Sequence, residues 1–250
     1  MPAIDILGCR VDAVSREEAV ARVVALAHAQ RGALVVTLGV EMVMAAQRDP
    51  AFRALVNAAD LSTCDSIGLL LASRARGGPL RGRVTGVMLV DLLAERSARE
   101  GDLRLFLLGG AQGVAERAAQ TLADRFPGVR IAGTRNGYFR PEESPAIARV
   151  IEASGANVLL AGLGFSKQEK WIAGYGAAAG CGVGIGIGGV LDVLAGKTQR
   201  APGIFQQAGL EWAYRLIREP ARWRRQLALP RFAVAEAIEI LRLRLEERSH

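Results

Sequence analysis

Histidine is nearly missing from this 250-residue chain, which has only His28 and His250. A Ser-His-Asp or Cys-His site therefore has one available base, His28, and that residue lies in an amphipathic helical pattern where a surface position is the plain reading. The three cysteines, Cys9, Cys64 and Cys181, are odd in number, far apart and without CxxC spacing. They do not make a disulfide framework, and with so few histidines they do not make a zinc site. A reducing cytoplasm is the expected compartment, since the start MPAIDILGCR does not read as a secretory segment. No apolar run reaches the roughly 18 to 20 residues that a membrane-spanning helix needs, so any membrane contact is expected to be peripheral. Catalysis is left to carboxylates, arginines, hydroxyls and backbone amides, with no metal.

Half of the residues are hydrophobic, enough to bury a full core, and the formal net charge is +7. The charge is not spread evenly. Between Gly196 and Arg231 there are eight Lys or Arg against two acids, Glu211 and Glu219, so nearly the whole excess sits in one segment. Such a surplus suits an anionic partner: nucleic acid, a membrane surface or a phosphorylated substrate. Its sign alone does not choose among them.

Apolar runs of strand length recur at Ala33 to Leu38, Leu103 to Leu108, Val129 to Gly133, Asn157 to Gly164 and Cys181 to Gly188. Most are continuously apolar, as central parallel strands covered on both faces are. Helical patterns alternate with them. Ser15 opens one, with Glu18 three residues on in a capping-box arrangement; Gly113 to Phe126 and Ser144 to Ser154 are others. The alternation predicts an α/β fold, a Rossmann-like, doubly wound and mostly parallel sheet whose ligand crevice lies beyond the carboxyl ends of the strands. After about Gly196 the strand signals stop. The expected division is a catalytic core over 1–195 and a basic, helical C-terminal appendage over 196–250.

Several strand ends carry groups that could do chemistry. Gly109, Gly110 and Gly113 lie between a strand and a helix, where backbone amides can cradle phosphate, although tight turns use glycine for steric reasons too. A formal GxGxxG occurs at Gly184, Gly186 and Gly189, without the following acidic strand end that would hold a ribose. Asp65 stands between a short strand and a helix, either as a helix N-cap or as a carboxylate facing the crevice. Asp192 has the same two readings. In GLGFSKQEKWI the polar run Ser166, Lys167, Gln168, Glu169 is explained by an exposed helix start, but polar residues recur at strand ends, Thr37, Asp65 and Gln168 among them.

The chain resembles the WecG/TagA/CpsF family of bacterial glycosyltransferases over essentially its whole length. The ordered set of matching blocks is VVTLGVEMVMAAQRDPAF, ADLSTCDSIG, RVTGVMLVDLL, LFLLGGAQGVAERAAQTLADRFPGVRIAGTRNGYF, GLGFSKQEKWI and GGVLDVLAGKTQRAPGIFQQAGLEWAYRLIREPARWRRQ. The resemblance implies transfer of a sugar, N-acetylmannosamine or a related hexose, from a UDP-sugar to an undecaprenyl-diphosphate-linked saccharide in cell-envelope polysaccharide synthesis. The enzyme would be cytoplasmic and peripheral to the inner leaflet, with the UDP-sugar a substrate and no cofactor. The family's pocket is represented by Thr37, Asp65, Arg83, Gln168 and Asp192. Asp65 would take the proton of the acceptor hydroxyl in an inverting transfer, and Arg83 would neutralise charge growing on the departing diphosphate. Thr37 and Gln168 would bind the donor. Arg215, Arg222 and Arg225 match the arginines that the family's appendage brings to the diphosphate as it closes over the pocket at the membrane.

Three positions depart from the family pattern. Gly39 stands where Asn is common, removing a side-chain contact to donor or acceptor; Ser66 replaces a Gly after the aspartate, and Ser166 replaces a Pro. Two other classes of function remain to be weighed. A nucleotide-dependent oxidoreductase rests on the α/β core and the glycine fingerprint, and a non-catalytic membrane or nucleic-acid binder rests on the basic segment alone. The transferase reading excludes nucleic acid as the partner and leaves a homo-oligomer open.

Overall fold

The computed structural model describes residues 2–29, 32–198 and 227–248, together with Pro202, Phe205, Ala213, Tyr214, Leu216 and Trp223. The chain opens with an antiparallel hairpin, β1 (Ala3–Ile6) and β2 (Cys9–Asp12). Its two-residue turn puts Leu7 at φ +50 and Gly8 at φ +78, the positive pair that hairpin turns of this length use. Leu-Gly is a weak turn signal, and the sequence reading passed over this hairpin. Asp12 fixes it to the body of the protein, because its Oδ2 accepts from the backbone N–H of Ser62 at 2.8 Å.

The central sheet has six parallel strands: β3 (Ala33–Leu38), β4 (Leu61–Cys64), β5 (Leu105–Gly109), β6 (Ile131–Arg135), β7 (Val158–Gly162) and β8 (Val183–Gly186). Their spatial order is β4-β3-β8-β7-β5-β6. Strand side chains alternate between the two faces, and the core divides accordingly. Leu34, Val36 and Leu38, Phe106 and Leu108, and Leu159 and Ala161 point to one face. Ala33 and Val35, Leu105 and Leu107, and Val158 and Leu160 point to the other. Continuous apolar strands are required because helices cover both faces. The expected doubly wound α/β architecture is the one observed.

One face is covered by α1 (Arg16–Ala29), α5 (Gly86–Glu100), α6 (Val114–Arg125) and the short α9 (Val190–Leu194). The other carries α2 (Val40–Ala46), α3 (Pro50–Asn57), α4 (Ile67–Ala75), α7 (Ser144–Ala153) and α8 (Lys167–Tyr175). The capping box at the start of α1 is present. Glu18 N donates to Ser15 Oγ at 3.1 Å and Ser15 N donates to Glu18 Oε2 at 2.7 Å.

The last helix, α10 (Ala228–Arg248), packs on α2 and α4. Phe232 is buried in the same apolar cluster as Val40 and Leu69, beside Gly68, where a Cβ would lie 2.6 Å from Val40 Cγ2 and in ordinary contact with the Phe232 ring at 3.7 Å. One turn on, Glu236 pairs with Arg76 of the α4 C-cap through both carboxylate oxygens, Nη2 to Oε2 at 2.8 Å. Side-chain exposures of 12% for Arg76 and 6% for Glu236 make this pair nearly buried, where removing one partner is far more damaging than at a surface. Phe232→Ala is expected to cost about 3 kcal/mol in urea unfolding. Glu236→Ala should cost a similar amount, and a loss below about 0.5 kcal/mol in both would show that α10 is not part of the core.

Candidate active site

The strand β8 explains the local architecture. In GVGIGIG, Val183, Ile185 and Ile187 face the α5–α6 side, whereas Gly184 and Gly186 fall on the opposite face, beneath α8. A Cβ on Gly184 would lie 2.5 Å from Ile172 Cγ2, and a Cβ on Gly186 would lie 2.6 Å from Glu169 Oε1 and 2.7 Å from Gln168 Nε2. The glycines are a period-two packing device that lets α8 lie directly on the strand. Two of the three glycines of the apparent GxGxxG, Gly184 and Gly186, are thereby accounted for sterically, which weakens the one specific support of the oxidoreductase reading.

The consequence is that Gln168 and Glu169 are not on an exposed helix start, as their polarity suggested. They are 2% and 0% exposed. Gln168 accepts from the backbone N–H of Gly188 at 3.0 Å through Oε1, and donates through Nε2 to Glu169 Oε1 at 2.7 Å. Burial pushes the Glu169 carboxyl above its usual range, opposed by the Gln168 amide and by the backbone N–H groups of Glu169 and Ser166. Nothing in the sequence distinguished this glutamate from a solvated one. The signal that could have found it is the pair of glycines one strand away.

Thr37, near the carboxyl end of β3, donates from Oγ1 to the carbonyl of Gly186 at 2.7 Å. Beside it stands Gly86, the first residue of α5, where a Cβ would come within 3.5 Å of Thr37 Oγ1 and of Ile187. The Gly86 N–H in turn donates to Asp65 Oδ1 at 2.9 Å. Asp65 follows β4 directly, but it is not the N-cap of the next helix. That position is held by Ser66, whose side chain accepts from Leu69 N. Asp65 reaches across to the start of another helix, α5, so its carboxylate is placed at the strand ends by a contact that is distant in sequence. Thr37, Asp65 and Gln168 therefore lie on one continuous chain of contacts along the carboxyl edge of β4, β3 and β8.

Arg83 precedes Val84, whose N–H and carbonyl are both tied to the end of β4, by Cys64 O at 2.8 Å and Thr63 Oγ1 at 2.8 Å. Cys64 reports the charges around it. Burial pushes its thiol up to about 12, with Asp65 acting in the same direction and Arg83 against. Arg83 and Asp65 thus flank one buried sulfur. Asp192 lies in α9, which starts directly after the Gly188–Gly189 turn, and its carbonyl accepts from Lys197 N at 2.9 Å. Gly109, Gly110 and Gly113 stand at the end of β5, two strands away from β8, all with positive φ. At about 4.8 Å per strand that places them roughly 10 Å along the same edge. Gly109 is packed against the Gly162 carbonyl, which gives it a steric reason of its own. Arg215, Arg222 and Arg225 lie outside the described residues. Among the described residues no group of three or more His, Cys, Asp or Glu gathers as metal ligands would.

The three family departures have visible local settings. Gly39 is the N-cap of α2 at φ −115, with nothing within 4 Å of where its Cβ would be, so the side chain absent here would project into open space. Ser66 supplies the α4 cap just described. Ser166 adopts φ +65 at the start of α8, a conformation closed to proline.

Two comparisons bear on this geometry. The family model for the WecG/TagA/CpsF family of glycosyl transferases matches residues 4–247. The chain is also 35% identical over 205 residues to the N-acetylglucosaminyldiphosphoundecaprenol N-acetyl-beta-D-mannosaminyltransferase of Bacillus spizizenii, a match spanning 82% of this chain and 79% of that relative. The chain belongs to the WecG/TagA/CpsF glycosyltransferase family.

Three outcomes follow from the packing. Gly186→Ala is expected to lower stability by about 2 kcal/mol in chemical unfolding, because the new methyl meets both polar side chains of α8. Gly39→Asn should change it by less than about 0.5 kcal/mol, since the site is open, φ is ordinary and Asn is a good N-cap. Glu169 has a folded pKa raised above its unfolded value, so the stability its neutral form contributes is complete below about pH 4.5 and is lost as pH rises through the folded value. In unfolding series across pH, the advantage of wild type over Glu169→Gln should therefore shrink as pH rises; an advantage growing with pH would reverse the assignment.

Proposed function

We propose that this family member transfers a hexose, N-acetylmannosamine or a relative, from a UDP-sugar to an undecaprenyl-diphosphate-linked saccharide, inverting the anomeric centre without a metal. The supporting observation is the contact chain Asp65–Gly86–Thr37–Gly186–Gln168 along the carboxyl edge of the sheet, where doubly wound folds bind their ligands. The Bacillus spizizenii relative, by its name, acts on a diphosphoundecaprenol-linked N-acetylglucosamine, which supports the acceptor class.

In this reading the Asp65 carboxylate, oriented by the Gly86 amide, takes the proton from the acceptor hydroxyl. The acceptor oxygen attacks the anomeric carbon from the face opposite the diphosphate, the bond from that carbon to the diphosphate oxygen breaks, and UDP leaves with the electron pair. Arg83, near the same strand end, offsets the negative charge that builds on the departing diphosphate, a role in which a preorganised cation is strongly stabilising. Thr37 and Gln168 line the donor side; the Gln168 amide oxygen is committed to Gly188, so its second amide hydrogen is what it offers a ligand. Asp192 forms the wall beyond Gly188. The segment over 196–250 brings Arg215, Arg222 and Arg225 to the diphosphates from the membrane side.

Peripheral attachment to an anionic leaflet is supported by α10. Its inner face is buried, yet Val234, Ile238, Leu241 and Leu245 on the outer face are 62%, 62%, 60% and 65% exposed. The spacing i, i+4, i+7, i+11 makes them one stripe, and exposed Arg231 and Arg242 are on the same helix. Trp223, 52% exposed, is of the ring type that suits a membrane interface. Among the described residues no helix is long and apolar enough to cross a membrane.

A panel of UDP-sugars with short-chain polyprenyl-diphosphate saccharides, read by mass spectrometry, tests the reaction. Asp65→Asn keeps an oxygen that can accept from Gly86 N, so it should unfold within about 0.5 kcal/mol of wild type and yet lose at least about a hundredfold in turnover. Wild-type turnover by that variant would remove Asp65 as the base. Ile238→Glu combined with Leu241→Glu should leave turnover of a water-soluble acceptor unchanged and abolish sedimentation with anionic vesicles. Undiminished sedimentation would take the α10 stripe out of the membrane contact.

A further inference from the structure

A fully buried glutamate is an expensive way to fill space, because a carboxyl loses its hydration there. Glu169 is also outside the set of strand-end residues assigned to the reaction. Its surroundings suggest what it does. The Gln168 side chain ends in an amide whose oxygen and nitrogen are nearly equal in shape, so only its hydrogen-bond partners decide which way it faces. Gly188 offers a backbone N–H, which only the amide oxygen can accept. Glu169 Oε1 is the acceptor on the other side, which the amide nitrogen satisfies so long as any carboxyl proton is on Oε2. A flipped amide would set nitrogen against the Gly188 N–H and oxygen against the carboxyl oxygen, leaving buried polar groups unmatched. Gly186 lacks the Cβ that would separate the two side chains from the strand, so the pair is held in a slot with no room to rearrange.

We infer that Glu169 is a positioning residue, which locks the Gln168 amide in one orientation and through it holds the Gly188 turn that carries α9 and Asp192. The inference rests on the proposed transferase reading for its kinetic consequence. Its structural content is independent of that reading, because the lock is a property of the folded chain alone. A neutral carboxyl suffices, since its carbonyl oxygen is what accepts from Gln168. Desolvation is the leading influence on this group and favours the neutral form, and no charged side chain is among the causes of its shift. The nearby cation Lys170 is at the surface, paired with Asp49 of the α3 cap at 3.6 Å.

The test uses full-length wild type, Glu169→Gln and Glu169→Leu. The glutamine variant retains a carbonyl acceptor and should keep the donor KM within about twofold of wild type. The leucine variant leaves the Gln168 amide nitrogen without its acceptor, so it should fold with lower thermal stability and raise donor KM roughly tenfold while kcat falls less than about threefold, the pattern of lost donor binding. A leucine variant with wild-type KM overturns the inference, and so does a glutamine variant as impaired as leucine. Should the leucine variant not fold, the glutamine variant decides alone, with a KM within twofold supporting the lock and a tenfold rise overturning it. The side-chain amide of Gln168 in 15N-labelled protein gives a readout that needs no activity. Slowly exchanging hydrogens in wild type and Glu169→Gln support the lock, and fast exchange in wild type overturns it. If wild type makes no product with any UDP-sugar, the transferase reading fails, and the amide exchange still decides the role of Glu169.

Discussion

The arrangement at the strand ends depends on two missing side chains, those of Gly184 and Gly186 on the α8 face of β8. Without them α8 approaches the sheet closely enough for Ile172 to sit over Gly184 and for the Gln168–Glu169 pair to sit over Gly186. The same residues leave β8 fully apolar on its other face, through Val183, Ile185 and Ile187. One strand thus joins two different environments: a conventional apolar layer against the α5–α6 side, and a close, polar contact with α8 at its carboxyl end. Packing at near-crystalline density makes this intolerant of even one methyl group.

From that contact the remaining site residues follow in sequence. The Gly186 carbonyl takes the Thr37 hydroxyl, Thr37 stands against the first residue of α5, and the amide of that residue holds Asp65. Four chain segments separated by tens of residues meet through backbone groups, which move less than side chains do. A carboxylate held in this way is preorganised, which the proposed role of general base requires. The C-terminal helix is tied to the same machinery: α10 packs on α2 and α4, the helices that begin just after Gly39 and Asp65. Its outer apolar stripe and its inner Phe232 are on opposite faces, so one helix connects the proposed lipid-facing surface with the helices that follow the ends of β3 and β4.

Much of this was legible in the sequence, for physical reasons. Short, almost wholly apolar runs such as Leu103 to Leu108 suit strands covered on both sides, and β5 lies at Leu105–Gly109; the Ser15–Glu18 box announces a helix start by local hydrogen bonding. Other features were hidden because they depend on partners far along the chain. The Leu7–Gly8 turn carries no strong signature, and its hairpin is fixed by Asp12 reaching Ser62. Of the two readings open for Asp65, the cap of the following helix is taken by the adjacent serine, and the aspartate instead holds a helix that begins twenty-one residues later. Glu169 read as a solvated residue because its burial is decided by glycines on another strand. The first two glycines of the dinucleotide-like spacing, Gly184 and Gly186, arise from a period of two along β8 without any nucleotide.

The central claim is that the carboxyl edge of β4, β3 and β8 is the donor site. Hydrogen exchange of the backbone amides, followed with and without UDP, addresses it directly. The expected result is slowed exchange at Gly86, at Gly188 and Gly189, and at the start of α2 after Thr37. Protection confined to the hairpin, to α1 or to the outer face of α10, or no protection at saturating UDP, would contradict the account.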